Sequence, residues 1–345
     1  MKKWLVAIPV IIVLAAAGWL AKELYLPYRG YQGQMILTIP RGARAPEVAD
    51  QLLRKGVIAH RLPFLLRYWL GRWHHETLKF GEYLFDRPLS ISRVYWKLAR
   101  GQVYLHTVVI PEGSDRFDMA RILHDDLGFS PQAFLAATRN PAPIRNLDPQ
   151  AITLEGYLFP DTYRFPRGVS ASVVVRTMLE RFRQVFSTDF RRKLQGESLH
   201  HVLTLASLVE KETPNPVERP RIAGVFTRRL EKGMLLECDP TVIYAVRLQD
   251  GATDPFNGPI TRSDLEMPSP YNTYVHAGLP PGPICSPGVA SIQAALHPAP
   301  GSALYFESNN HGGHYFADTL AEHRRNVERS RRELQEMQQK GSNQR

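Results

Sequence analysis

TIPRG, Thr38 to Gly42, returns 71 positions later as VIPEG, Val109 to Gly113. At the same offset Ala49 and Leu52 match Ala120 and Leu123, and the YLF of Tyr83 to Phe85 recurs at Tyr157 to Phe159, 74 positions on. Each copy reads as a strand, a Pro-x-Gly turn, a helix and a later aromatic strand. Proline fixes φ in such a turn and glycine permits the tight bend. Matches in the same order make an internal repeat. Around the first copy, QMILTIP reads as a strand and EVADQLLRKG, from Glu47, as a helix with Val48, Leu52 and Leu53 apolar. RLPFLLRYWL is a second helix, FGEYLF (Phe80 to Phe85) a strand, and ISRVYWKLARG a helix ending at Gly101. The unit is therefore strand–helix–helix–strand, seen nearly twice.

Before this unit, Lys2 and Lys3 precede WLVAIPVIIVLAAAGWLA, Trp4 to Ala21, an uncharged run of 18 residues. As a helix it reaches about 27 Å, enough for a bilayer core. The lysines predict a cytoplasmic N-terminus, and tryptophans near both ends suit the two interfaces. Ala15 to Ala17 offers the small residues of a signal-peptide cleavage site, but the run continues through Trp19 and Leu20. An uncleaved anchor over 1–22 is the expectation, followed by a linker over 23–33. With 345 residues, 43% hydrophobic and 22% charged, the rest is long enough for two or three compact units and too apolar for disorder. The net charge of +10 suits an anionic surface or polymer. No nucleic-acid module signature is present, which argues against that partner.

From Val169 the pattern turns helical: SASVVVRTMLERFRQVF, HVLTLASLVEKET and VERPRIAGVFTRRLEKG. GLPPGPICSPG, Gly278 to Gly288, holds seven Gly or Pro in eleven positions. Such a loop is stiff before any ligand arrives, and serves either as a binding loop or as a connector. ALYFES is a strand, HYFADTLAEHRRNVERSRRELQEMQ a strand end running into a long charged helix, and 339–345 a tail.

LASLVEKET, Leu205 to Thr213, carries the chemistry. At 100° per residue Val202, Ala206 and Val209 centre an apolar face. Glu210 falls about 90° to one side of it and Glu212 at a comparable angle on the other. A carboxyl at an apolar edge is partly desolvated, which raises its pKa and equips it as a general acid for glycosidic cleavage. Periodicity does not choose between the two glutamates, and two solvated flanking charges are the plainer reading.

ASLVEKET, CDPTVIYAV, SPYNTYVHAGLPPGPICSPG, AALHPA, YFES and GGHYFADTLAEH, in this order, resemble the YceG-like endolytic murein transglycosylase family (MltG). LEGYLFPDTY, Leu154 to Tyr163, and the single N-terminal apolar segment share the resemblance. It implies an α+β chain: a transmembrane helix, a LysM-like βααβ glycan-binding module over 34–110, and a mixed helical and β catalytic domain over 111–338 with a second LysM-like repeat near 109–160. It also implies a lytic transglycosylase that cuts the β-1,4 bond between N-acetylmuramic acid and N-acetylglucosamine inside nascent peptidoglycan and leaves 1,6-anhydro ends. Glu210, the first glutamate of VEKET, would be the catalytic acid. Tyr271, Asn272 and Tyr274 would contact the sugars, with Glu155, Tyr157 and Asp161 along the same cleft and Glu212 in support or purely structural. No cofactor or metal is implied. The partners implied are peptidoglycan strands, the cytoplasmic membrane and peptidoglycan synthases.

Two rivals remain beside this reading. His311, His314 and His323, with His297 upstream, could bind zinc, though their spacing matches no strong signature. A membrane-anchored glycan-binding scaffold without turnover would need no acid in VEKET. Cys238 and Cys285 stand apart; in an oxidising compartment they either bridge or are two unrelated small residues.

Overall fold

A computed structural model describes residues 2–186, 194, 196–251 and 255–342. The first helix, α1 (Lys2–Tyr25), contains a candidate membrane span, Ala7–Tyr25, with mean hydropathy 1.8 and none of it buried. The chain divides into two compact units, Met1–His106 with Arg164–Gly168, and Thr107–Tyr163 with Val169–Arg345.

In the first unit, β1 (Met35–Ile39) runs antiparallel to β2 (Gly81–Phe85), with Leu37 opposite Tyr83. Alternation turns Leu37, Ile39, Tyr83 and Phe85 inward. Between the strands lie α2 (Ala45–Arg54) and α3 (Arg61–Trp73). Pro46 stands in the first turn of α2, and the Glu47 carboxylate accepts the Arg44 N–H at 3.0 Å, which fixes the helix start. Val48, Ala49 and Leu52 form its buried stripe. Gly56 ends the segment at φ +67°, and a Cβ there would come within 2.7 Å of the Gly30 backbone. α4 (Ile91–Ala99), capped by Ser90, adds Val94, Tyr95 and Leu98 to the core. The strand–helix–helix–strand order read in the sequence is thus present.

Next along the chain come β3 (His106–Val109), α5 (Arg116–Leu127), α6 (Pro131–Arg139) and β4 (Thr162–Phe165), and β3 pairs with β4. The order repeats, but the closing strand is TYRF, not the expected Tyr157 to Phe159. Those three residues lie in a buried turn, because their side chains fill the core where a strand would expose alternate ones. Helices follow: α7 (Ala171–Val185), α8 (Leu199–Glu212), α9 (Arg219–Glu231), α10 (Asp239–Asp250), the short α11 (Arg262–Leu265) and α12 (Val289–Leu296). An antiparallel hairpin, β5 (Tyr305–Ser308) and β6 (His314–Ala317), leads into α13 (Leu320–Ser342). The molecule is of mixed α+β type.

Candidate functional site

α8 is the central strut of the second unit. Ser198 caps it, its hydroxyl accepting the His201 N–H at 3.0 Å. Every residue from Val202 to Val209 is buried, so this stretch is covered on all sides rather than on one face. It packs against α9, α10 and α12. The Gly/Pro-rich loop is laced to it: the Ile284 N–H donates to Ser207 Oγ at 3.1 Å and the Cys285 thiol to the Ser207 carbonyl at 3.4 Å. That loop is mostly buried and works as a packing strap rather than an open binding edge.

Both glutamates fall in the last turn of α8, where the helix dipole disfavours negative charge, but their surroundings differ. Glu210 Oε1 takes the Arg219 Nη2 hydrogen bond at 3.0 Å, and Oε2 accepts the Gly288 N–H at 2.9 Å. Both side chains of the ion pair are under 10% exposed. Glu210 therefore clamps the end of α8 to the starts of α9 and α12, with both oxygens engaged.

Glu212 faces the other way, into an open groove of about 660 Å³. Burial pushes its carboxyl up from 4.5 to about 7; the Cys238 thiol, hydrogen-bonded to it, and the more distant Arg229 oppose that rise, and the Asp239 carboxylate adds to it. Cys238 is held beneath Glu212 at the head of α10: its N–H donates to Thr273 Oγ1 at 3.0 Å and its carbonyl accepts from Thr241 Oγ1 at 2.6 Å. Across the groove the Tyr274 hydroxyl donates to Asp239 Oδ1 at 2.5 Å. Arg229 forms the floor, donating to the carbonyls of Leu304, Leu235 and Leu236 and to Glu237. The remaining wall comes from Phe306 of β5 and from His314 and His323.

Of the residues expected at the site, Glu212 and Tyr274 line this groove. Asn272 does not reach it. Its amide donates to the carbonyls of Asp264, Leu265 and Met267 and its oxygen accepts the Tyr274 N–H at 3.0 Å, so a fully buried side chain has no group left for a sugar. Glu155 is 1% exposed, bound to Arg116 and the Tyr244 hydroxyl. Tyr157 is equally buried, its hydroxyl on Asp148, and Tyr271 packs on Tyr244 with ring centroids 5.0 Å apart. Glu155, Tyr157 and Tyr271 border a crevice with essentially no free volume. Asp161 pairs with Arg181 at 2.5 Å. Each of these side chains packs or hydrogen-bonds against its neighbours in the fold. Cys238 and Cys285 are both free and buried.

Among the described residues no three His, Cys, Asp or Glu side chains are grouped to hold a metal ion. His314 Nδ1 lies 2.8 Å from Glu218 Oε2, and His323 stacks on Tyr305 at 5.2 Å. The groove residues that sequence reasoning missed are Cys238, Asp239 and Arg229. CDPT contained a signal for the first two, since an acid before a proline at a helix start sits where the chain must turn.

The protein is an α+β chain with one N-terminal apolar helix among its described residues. The YceG-like family profile matches residues 37–329, and the chain belongs to that family. It is 31% identical over 310 residues to the endolytic murein transglycosylase of Bacillus subtilis (strain 168), covering 85% of this chain and 84% of that protein. It is 28% identical to the endolytic murein transglycosylase of Streptococcus pneumoniae serotype 2 (strain D39 / NCTC 7466), with 84% of this chain matched but only 57% of the pneumococcal protein. The crystal structure of a yceG-like protein from Listeria monocytogenes superposes with a TM-score of 0.57 at 32% identity, covering 85% of this chain and 99% of the other.

Proposed function

We propose that the protein is a membrane-anchored endolytic transglycosylase that cuts the N-acetylmuramic acid–β-1,4–N-acetylglucosamine bond inside nascent peptidoglycan strands, with Glu212 as its acid and base. The observation that carries this reading is the Glu212 carboxyl, raised to about 7, on the wall of a groove large enough for sugar rings. Near neutrality such a group is about half protonated and can both give and take a proton. Glu210, the acid that the resemblance implies, holds Arg219 and the Gly288 N–H with its two oxygens and is the competing candidate.

Glu212 protonates the bridging oxygen as the glycosidic bond breaks. The resulting carboxylate takes the proton of the muramyl 6-hydroxyl, which closes on the anomeric carbon to form the 1,6-anhydro ring. Because the nucleophile is tethered in the same sugar, no second carboxylate need activate water, and tethering contributes on the order of several kcal/mol. Arg229, donating at the groove floor, and Tyr274 offer contacts for N-acetyl groups and sugar faces. α1 serves as the anchor, with the N-terminus cytoplasmic and both units outside; the βααβ unit serves as a LysM-like glycan-binding module. Cutting nascent strands would end their polymerisation and bring the protein beside peptidoglycan synthases.

Asp239 shares the groove, so a two-carboxylate hydrolase is the second reading. Mass spectrometry of digested peptidoglycan separates the two: anhydro ends are one water lighter than hydrolysis products. Glu212→Gln should abolish the products, whereas Glu210→Gln, where it folds, should retain turnover. Ordinary reducing ends from the wild type would overturn the lyase assignment. Full activity in Glu212→Gln would remove this residue from the mechanism and give the role to Glu210 or another acid.

A further inference from the structure

The first unit carries a surface that saccharide cleavage does not use. α3, RLPFLLRYWLGRW, buries Phe64 against the core but exposes Leu62 (54%), Leu66 (40%), Trp69 (61%), Leu70 (60%) and Trp73 (85%). At 100° per residue these five side chains fall within an arc of about 100°, one continuous stripe along the helix. Patches of this kind on otherwise polar surfaces mark interaction sites. α3 contains no acidic residue. Arg61 and Arg72 project along one flank of the stripe, and the Arg72 guanidinium lies 5.9 Å from the Trp69 ring. Two aromatic anchors, three leucines and flanking arginines are the composition of a helix that lies in a membrane interface.

The position of α3 identifies the occupant. His60, which caps α3, has its ring 5.5 Å from that of Trp19 and its Nδ1 3.3 Å from Glu23 Oε2. Trp19 and Glu23 belong to the last two turns of α1, where the apolar span ends. α3 therefore starts at the level at which α1 leaves the hydrocarbon.

We propose that α3 lies along the outer headgroup–acyl boundary of the membrane that α1 crosses, its Leu/Trp stripe about 5–10 Å into the lipid and its arginines on anionic phospholipid phosphates. The proposal rests on the reading of α1 as an anchor. It makes the attachment two-point, fixing the tilt of the first unit, which a single helix would leave free. A saccharide is the competing occupant, since Trp69 also borders a groove of about 480 Å³ with Arg44, Tyr68 and Arg72. Lipid is favoured because Leu62, Leu66, Leu70 and Trp73 lie outside that groove.

Depth-dependent fluorescence quenching tests this on the full-length chain, reconstituted in vesicles of phosphatidylethanolamine with a minority of phosphatidylglycerol. Leu70→Cys, Trp73→Cys, Val13→Cys and Lys55→Cys variants carry a nitrobenzoxadiazole label; buried Cys238 and Cys285 set the background, measured on the unsubstituted chain. With lipids brominated high in the acyl chain, labels at 70 and 73 should shift to the blue and lose about half or more of their emission, as a shallow insertion requires. The label at 55, just past the end of α2, should stay bright, and adding Leu66→Asp should restore emission at 73. If 70 and 73 remain unquenched while 13 is quenched by deeply brominated lipid, the anchor stands and the docking is overturned. Failure at 13 as well sinks the anchor reading itself. Equal quenching at 55, 70 and 73 rejects an oriented stripe, and a response at 70 and 73 to purified glycan strands but not to lipid gives the surface to saccharide.

Discussion

Replacing Glu212 by glutamine should make the protein more stable and inactive at once. Its carboxyl is raised from 4.5 to about 7, chiefly by burial. Between those values the folded state holds a proton that the unfolded chain releases, so stability falls as pH rises through that window. Below pH 4.5 both states are protonated and the penalty is absent; above pH 7 it is complete. At 1.36 kcal/mol per pH unit, the full penalty is about 3 kcal/mol, trimmed to about 2–3 kcal/mol by partial contact with groove water. Glutamine keeps the shape and carries no charge. Glu212→Gln should therefore gain about 2–3 kcal/mol at pH 8, or about 6 °C in Tm, and almost nothing at pH 4.5. Other buried acids such as Asp115, raised by burial and by the Glu155 carboxylate, tilt both proteins alike and cancel in the difference. Paired thermal unfolding curves at the two pH values give the answer. A variant no more stable than wild type at pH 8, or one with the same gain at both, would refute a desolvated acid at position 212.

Anhydro-product formation should be flat below pH 7 and fall about tenfold per pH unit above it. Asp239→Asn, removing a charge that raises Glu212, should shift this limb to lower pH, and Cys238→Ala, removing a hydrogen bond that lowers it, to higher pH; initial rates against pH decide. Glu210→Gln breaks a buried ion pair and leaves Arg219 only its longer contact with Glu112, at 4.0 Å, which should cost about 3 kcal/mol in urea denaturation. Asn272→Ala should cost about 2–4 kcal/mol, since it leaves several buried carbonyls without a donor, while KM measured on folded protein stays unchanged; a rise in KM without loss of stability would return Asn272 to the substrate.

The apolar run before Lys22, the strand–helix–helix–strand order of the first unit and the helix over LASLVEKET were all legible, because each is written in local periodicity and turn chemistry. The roles of polar residues were not. Asn272, Glu155 and Tyr157 were expected at the substrate because amides, acids and phenols suit sugars; in the fold the Asn272 amide, the Tyr157 hydroxyl and Glu155 Oε2 bond to neighbours. TYRF, rather than YLF, closes the second strand pair for a related reason: Tyr157, Leu158 and Phe159 are all buried, and no isolated two-stranded sheet buries successive residues on both faces.

Sequence alone determined that two carboxyls stand two residues apart at the end of an apolar helix, about 160° apart around its axis. Which one lies open to a groove depended on what covers each flank. Arg219 and the start of α12 close over Glu210, whereas α10 and the β5–β6 hairpin leave an open groove at Glu212. Those covering elements come from distant parts of the chain, and desolvation, which sets a carboxyl's proton affinity, is a property of the surroundings they build rather than of the residue itself.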